Sequence, residues 1–427
     1  MTACAVETAA TRWNGPGGSE GSGGGAARCG DGPGICSHGA NGAHGTHGTH
    51  GTHGARSSPA LVFSADGGYA ARLAGSGDAR YPERWTLDGP EAYAVPLPLY
   101  QPEEPDTAVL PLADGRVLIH RRTAGRQLFS LLYPSGPETG ELTLGGVETP
   151  SADGYGAAVL LPPSPDGARA HLLVPGPGDG SGGVVTAIWL VAGGSFGPEF
   201  VAEVPGRCTG GVWLDRTGRL LALDRQREPG GPVKAVAVDL ERGGEVSPLL
   251  QIAPDSNDRL LLAAPDSGLL VVRSDAPGDD RIGWGVLGGE RPVRFPDCLR
   301  VPGGAVTPFA VQPGQVLQPD GCAVAFTVAT GTGPAPAVWR PRGRELRPLA
   351  APDGWFPGTG RWTPEGVLQL PYAGPATPCG VALLAPPAEP PDTPGDPAAA
   401  GSGSRPAAAL RPVPLQQAPL MGRTRTG

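Results

Sequence analysis

Four histidines at a spacing of three residues are the most chemically suggestive feature of this sequence. His44, His47, His50 and His53 each end a Gly-Ala-His or Gly-Thr-His unit in a glycine-rich N-terminal stretch. Neutral imidazoles on a flexible chain can converge on Zn, Ni or Cu. Expansion of a short coding repeat without a selected role is the alternative. The sequence therefore leaves a weak metal site open in this stretch, and it predicts no further cofactor.

Four arginines lie close together after a predicted strand, at Arg340, Arg342, Arg344 and Arg347. In an extended segment, alternating positions share one side, so the first three guanidinium groups could form an anion-binding face. The chain contains a single lysine, so nearly all of its positive charge is arginine. Solvated arginines on a turn are therefore the ordinary alternative, and the sequence leaves both interpretations open.

Two glycine-rich motifs match sites of known chemistry but lack the helix that those sites require. Residues 193–197 match G-x-S-x-G around Ser195, and residues 178–183 match the phosphate-binding pattern G-x-G-x-x-G. Strand-like runs follow both motifs. Within the folded region, His120 and His171 are the histidines that could act as a base. We interpret both motifs as loops and predict no catalytic residue.

The composition excludes a long helical architecture and argues against nucleic acid or membrane partners. The chain has 70 glycines and 52 prolines among 427 residues. Inside a helix, a glycine costs about 1 kcal/mol and a proline about 3 kcal/mol. A net charge of −8 disfavours general nucleic-acid binding. The apolar runs are too short to span a bilayer. Seven cysteines without a C-x-x-C motif indicate reduced thiols. With no visible signal peptide, we expect a cytoplasmic monomer.

A turn signal recurs seven times between residues 60 and 385. In each case a small or acidic residue precedes glycine, and apolar runs of high β propensity flank the pair. Such pairs favour hairpins, because glycine adopts positive φ without steric cost. Successive glycines are 45–53 residues apart, at Gly67, Gly115, Gly167, Gly218, Gly268, Gly321 and Gly366.

Further strand-like runs follow each turn, and together they predict a seven-bladed β-propeller of four-stranded blades. Third runs carry Trp85, Trp189, Trp284 and Trp339, which we expect to fill the space between neighbouring blades. Residues 1–59 and 386–407 contain too few large apolar groups to fold, and we predict disorder there. Residues 408–418 resemble the fourth runs. We expect residues 408–427 to supply the closing strand of the last blade and a short tail.

Two repeats resemble the propellers of TolB-like proteins and of prolyl-oligopeptidase-type enzymes. Pro165–Gly167 precedes the run Ala187–Val191, and Pro319–Gly321 precedes Ala337–Trp339. This pattern of Pro-Asp-Gly, strand and tryptophan resembles the repeats of those families. The resemblance implies a propeller over about residues 60–385. In the peptidases, a separate α/β-hydrolase domain carries the chemistry, and the segments flanking the repeats here are too short to form one.

The leading functional hypothesis is a non-enzymatic propeller that acts as a scaffold for a protein or small-molecule partner. It rests on the repeats and on the lack of a coherent set of catalytic residues. The alternative is a propeller enzyme, such as a metal-dependent hydrolase or lyase, with its site in the central channel. Such a site needs polar side chains on the innermost strands, where the sequence offers little beyond Asp215.

Overall fold

Short apolar runs between glycine turns form antiparallel β-sheets throughout the part of the chain that the structure describes. A computed structural model describes residues 61–150, 155–178 and 183–385. The predicted tail 1–59, the segment 386–407 and the closing strand 408–418 lie outside these residues. So do His44, His47, His50 and His53. We number the seven sequence repeats 1 to 7 from the N-terminus.

The first three repeats each form a four-stranded sheet. Repeat 1 contains β1 (Val62–Phe63), β2 (Tyr69–Ala74), β3 (Tyr81–Thr86) and β4 (Tyr93–Pro96). Repeat 2 contains β5 (Ala108–Pro111), β6 (Val117–Thr123), β7 (Arg126–Ser135) and β8 (Glu138–Glu148). Repeat 3 contains β9 (Val159–Leu160), β10 (Ala170–Pro177), β11 (Val184–Ala192) and β12 (Glu199–Pro205).

Repeats 4 and 5 share one seven-stranded sheet, because Lys234 and Asp258 form a parallel pair between them. Repeat 4 contains β13 (Arg207–Trp213), β14 (Leu220–Gln226), β15 (Val233–Asp239) and β16 (Glu245–Pro248), and repeat 5 contains β17 (Asp258–Ala264), β18 (Leu269–Ser274) and β19 (Arg281–Val286). Repeat 6 contains β20 (Ala305–Val311), β21 (Val324–Thr330), β22 (Gly333–Trp339) and β23 (Arg347–Pro348). Repeat 7 contains β24 (Arg361–Trp362), β25 (Leu368–Tyr372) and β26 (Gly380–Leu384).

Helical structure in the described residues consists of four short 3₁₀ turns, and no described helix is long and apolar enough to cross a membrane. The turns are Gly77–Ala79, Leu240–Arg242, Asp297–Leu299 and Pro319–Gly321. The described cysteines, Cys208, Cys298, Cys322 and Cys379, are free thiols.

Six of the seven repeat glycines adopt positive φ, as predicted for the hairpin turns, with values of 72–86°. Gly321 is the exception, because it lies in the 3₁₀ turn Pro319–Gly321. The connection from β20 to β21 is longer than in the other repeats, and Leu317 carries the left-handed conformation there, with φ of 55°. The prediction of a tight Asp-Gly hairpin in repeat 6 was therefore wrong.

Apolar clusters between consecutive sheets give the described chain a propeller arrangement. Each cluster draws residues from two neighbouring repeats. Trp85 of repeat 1 is fully buried, and its ring lies 5.8 Å from that of Phe356, which precedes β24. Trp284 and Trp339 are buried between repeats 5 and 6, whereas Trp189 is half-buried. The contact of repeat 1 with repeat 7 closes the row of sheets into a ring.

Hydrogen bonds also join neighbouring repeats at the glycine turns. Five of the six bonds connect the inner turns of neighbouring repeats, 48–54 residues apart in sequence, and the sixth runs from Arg84 on β3 to the turn of repeat 2. They run from Arg84 Nη1 to Gly115 O (3.0 Å), Ala113 N to Gly167 O (2.9 Å), Arg169 Nη2 to Thr217 O (2.8 Å), Arg216 Nε to the Asp266 carboxylate, Gly314 N to Asp266 Oδ2 (2.5 Å) and Gln312 Nε2 to Pro364 O (3.3 Å).

Candidate functional site

A groove between repeats 5 and 6 combines positive charge with aromatic surface. It has a volume of about 400 Å³ and is lined in part by Trp284, Arg294, Phe295, Asp297, Cys298, Pro341 and Arg344. We call it the Arg294 groove. One wall comes from β19 and the segment that follows it, and the other comes from the loop between β22 and β23. The groove therefore depends on two neighbouring repeats.

Arg294 is held against β19 by a closed pair of backbone hydrogen bonds. The amide of Trp284 donates to the carbonyl of Arg294, and the amide of Arg294 donates to the carbonyl of Trp284, both at 2.9 Å. Gly283 makes this close approach possible, because a Cβ there would lie 2.8 Å from both the Arg294 carbonyl oxygen and the Phe295 ring. The pairing places the Arg294 guanidinium over the Trp284 ring, 5.3 Å from its centroid.

Two buried aromatic rings pack behind Trp284. Trp284 packs edge-on against Trp339, with ring centroids 6.4 Å apart. Trp339 packs in the same way against Phe326, at 6.3 Å. Burial raises the pKa of the neighbouring Cys298 thiol, so this side chain is neutral at physiological pH. The thiol thus adds no negative charge to the groove, and the carboxylate of Asp297, which also lines it, is paired with Arg281 at 2.6 Å.

Among the described residues, no carboxylate forms an ion pair with Arg294 or Arg344. A second cavity, of about 290 Å³, lies beside the groove and provides a contrast. Its arginines are neutralised: Arg273, Arg281 and Arg300 pair with Asp280, Asp297 and Asp279 at 3.8, 2.6 and 3.2 Å, respectively. The Arg294 groove is therefore the stronger candidate for binding an anion.

The structure places the four sequence-predicted arginines in different settings. Arg340 begins a turn, in which the Gly343 amide donates to its carbonyl oxygen at 2.8 Å. The expected extended segment with alternating guanidinium groups is therefore absent. Arg347 lies in β23, with its Nε 3.9 Å from a Glu345 carboxylate oxygen. The backbone amide of Arg342 donates a hydrogen bond to the carbonyl of Asp320. Arg344 lines the groove. An anion-binding role for this loop stays a prediction.

Arg294 was missed by the sequence analysis, although a signal was present. The runs Ile282–Leu287 and Pro292–Phe295 are both strand-like, and antiparallel pairing of a third and fourth run places Arg294 opposite Trp284. In place of a fourth strand over residues 292–295, the structure has a single antiparallel β-bridge between Trp284 and Arg294. Pro292 and Pro296 flank the bridge and lack the amide hydrogens that would extend a ladder.

The described residues that match catalytic or phosphate-binding motifs, and Asp215, take part in local turns and loops. Ser195 lies in the turn from β11 to β12, and its amide donates to Glu199 Oε1 at 2.8 Å. The amide of Gly178, after β10, donates to the carbonyl of Gly183, before β11, at 2.8 Å. Asp215 accepts bonds from the amides of Arg219 and Leu220 in its own turn. In the three described ranges, no three His, Cys, Asp or Glu side chains are grouped as metal ligands.

His120 and His171 are both buried in second strands of their repeats. His120 stacks on Phe129 at 4.9 Å, and its Nε2 lies 2.7 Å from Gln127 Oε1. His171 packs edge-on against Trp213 at 5.3 Å. Burial lowers the pKa of each histidine to about 4. Both imidazoles are therefore neutral in the folded protein at physiological pH.

We expect acidification to destabilise the fold through these two histidines. Their pKa rises from about 4 when folded to about 6.5 when unfolded. Between these values the unfolded chain binds more protons, so the stabilisation present above pH 6.5 is lost as the pH falls towards 4. Urea unfolding at pH 7.5 and 5.0 should show a loss of about 2 kcal/mol per histidine. Equal stability at the two pH values would contradict the burial of neutral imidazoles.

No protein-family model matches the sequence, and no curated protein matches it. Similar solved structures include a Mycobacterium tuberculosis puromycin-hydrolyzing peptidase (16% identity, TM-score 0.40), a putative TolB from Agrobacterium tumefaciens (16%, 0.36) and Kuenenia stuttgartiensis hydrazine synthase (13%, 0.47). The matches cover 77%, 57% and 79% of this chain, and 52%, 80% and 99% of those chains. This chain spans about half the length of the peptidases it matches. The predicted resemblance to TolB-like and prolyl-oligopeptidase-type propellers is confirmed. It is a likeness of fold alone.

Proposed function

We propose that this protein is a non-enzymatic propeller scaffold that binds an acidic, proline-containing peptide segment in the Arg294 groove. The observation that supports this function is the combination of two guanidinium groups, Arg294 and Arg344, with the aromatic wall of Trp284 and Phe295. The groove volume of about 400 Å³ is within the range of ligand sites in proteins.

The chemistry of the groove favours carboxylates carried on an extended backbone. One face of the Arg294 guanidinium lies on the Trp284 ring, so its edge N–H groups can donate to a carboxylate in the bidentate manner of arginine. Arg344 supplies a second charge from the opposite wall. Aromatic and proline side chains suit polyproline segments, which bind aromatic-lined grooves without a large loss of conformational entropy.

We also propose that the ring has seven blades and that residues 408–418 complete the last one. Seven apolar clusters, one for each pair of neighbouring repeats, support this count. In the described part of repeat 7, β26 pairs with β25 on one side. Leu383 on β26 is 65% exposed, which a fourth strand would reduce. The cytoplasmic location and monomeric state stay predictions, as does the alternative of a central-channel enzyme.

A labelled peptide of alternating proline and glutamate tests the proposed function by fluorescence anisotropy. We expect the full chain to bind it and to reject the same peptide with glutamine, because the carboxylate supplies the charge-assisted bonds. Arg344→Ala should raise the Kd at least about tenfold, since such a bond contributes about 1.5–3 kcal/mol.

Arg300→Ala is the matched control, because Arg300 is an exposed arginine near the groove that already pairs with Asp279. We expect it to change the Kd less than twofold, an effect on the order of that of a surface substitution. Equal binding of the glutamate and glutamine peptides, or equal losses in Arg344→Ala and Arg300→Ala, would overturn the proposed function.

A further inference from the structure

We infer that residues 386–398 of this same chain are an intramolecular ligand of the Arg294 groove, an inference that rests on the proposed function. These residues read PPAEPPDTPGDPA and carry the carboxylates of Glu389, Asp392 and Asp396 without a basic side chain. They therefore have the chemistry that the groove selects, which is negative charge on a proline-rich backbone.

The place where the segment leaves the fold corresponds to the loop that forms one wall of the groove. In repeat 6, the first residue of β21 pairs with Trp339 at the end of β22. In repeat 7, the first residue of β25 pairs with Leu384 at the end of β26. Residue 385 is thus the counterpart of Arg340, and the chain leaves repeat 7 at the same end of the third strand where the Arg344 loop leaves repeat 6.

The segment is long enough to reach the groove from that point. Repeat 7 packs directly against repeat 6, and the groove lies on the other side of repeat 6, towards repeat 5. Sheets stacked face to face are about 10 Å apart and the blades of a propeller diverge outwards, so the path is at least about 20 Å. A polyproline segment rises about 3.1 Å per residue, so the thirteen residues 386–398 in that conformation would extend about 40 Å and would reach the groove.

The spacing of prolines and carboxylates suits the two kinds of groove surface. A polyproline helix has about three residues per turn. Bound in that conformation, Glu389 and Asp392 would share one side of the segment, and Pro391, Pro394 and Pro397 would share another. In this arrangement the carboxylates meet Arg344 and Arg294 while the prolines pack on Trp284 and Phe295. The tethered segment then competes with any external acidic peptide.

Competition in the full-length chain tests this inference. The probe is a fluorescein-labelled peptide of residues 386–398, titrated with wild type and with the triple variant Glu389→Gln, Asp392→Asn, Asp396→Asn. Tethering gives effective concentrations in the millimolar range. We expect removal of the internal competitor to lower the Kd of the probe about tenfold or more. Adding Arg344→Ala to the triple variant should abolish this gain, whereas adding Arg300→Ala should retain it.

Equal Kd values for wild type and the triple variant, both raised by Arg344→Ala, would overturn the intramolecular ligand and leave the groove as an acidic-peptide site. Absence of binding to both proteins would overturn the proposed function as well. The substitutions lie outside the described strands, and equal thermal midpoints for the two proteins serve as the check on folding.

Discussion

Replacing Lys234 with methionine is expected to lower the free energy of unfolding by about 3–5 kcal/mol, because it leaves a buried carboxylate without its cation. Lys234 Nζ lies 2.8 Å from Asp258 Oδ2, and Asp258 is fully buried. The carboxylate also accepts bonds from the Ile252 amide at 2.9 Å and from the Ser256 and Ser274 hydroxyls at 2.8 and 2.6 Å. Methionine preserves most of the side-chain volume, so the loss reports on the polar contacts of Lys234, which also donates to the Ala253 carbonyl and to Ser256 Oγ.

Arg126→Met is the control for this prediction. Arg126 pairs with Glu148 at 3.2 Å, but both side chains are more than half exposed. An exposed pair contributes less than about 1 kcal/mol. Urea unfolding of the two variants measures the difference. Similar losses would show that the single lysine of the chain does not join repeats 4 and 5 through a buried ion pair.

Gly354→Ala is expected to destabilise the closure of the ring by about 2–5 kcal/mol. Gly354 has φ of 77°, and a Cβ there would lie 2.1 Å from the Ala373 carbonyl oxygen. That oxygen cannot move freely, because the Ala373 amide donates to the Gly354 carbonyl at 3.0 Å. Left-handed strain of about 1–2 kcal/mol and overpacking of about 1–3 kcal/mol combine here. Phe356, two residues on, packs against Trp85 of repeat 1.

Gly358→Ala separates these two costs. Gly358 has the same φ of 77°, but the nearest atom to a Cβ there is Thr327 Oγ1, at 3.9 Å. We expect a loss of about 1–2 kcal/mol from backbone strain alone. Thermal unfolding of both variants gives the comparison. Equal shifts of Tm would mean that the close approach of Gly354 to Ala373 is absent in solution.

Local signals in the sequence predicted much of the fold. An Asp-Gly pair determines a hairpin within a few residues, so Gly67, Gly115 and Gly167 could be placed without knowledge of distant contacts. Trp85 and Trp339 recur at one strand position, and a large ring at such a position fills the gap between sheets. These features depend on neighbours in sequence, and the structure reproduces them.

The candidate site was harder to predict, because it combines irregular segments that follow the third strands of repeats 5 and 6. Arg294 acquires its position from pairing with Trp284, and Arg344 reaches the groove because the chain turns at Arg340. The alternating spacing of Arg340, Arg342 and Arg344 predicted an extended segment, whereas the chain turns there, and the anion-binding role of these arginines stays a prediction. Lys234 and Asp258 are likewise 24 residues apart and meet through a single parallel pair. The repeat pattern of the sequence does not indicate which side chains of different strands come into contact.

A crystal structure of the full chain with the proline–glutamate peptide is the most direct test of the function proposed for the Arg294 groove. We predict a peptide carboxylate within hydrogen-bonding distance of the guanidinium groups of Arg294 and Arg344, with proline rings on Trp284. A peptide bound in the central channel, or one that leaves both guanidinium groups without contact, would contradict it.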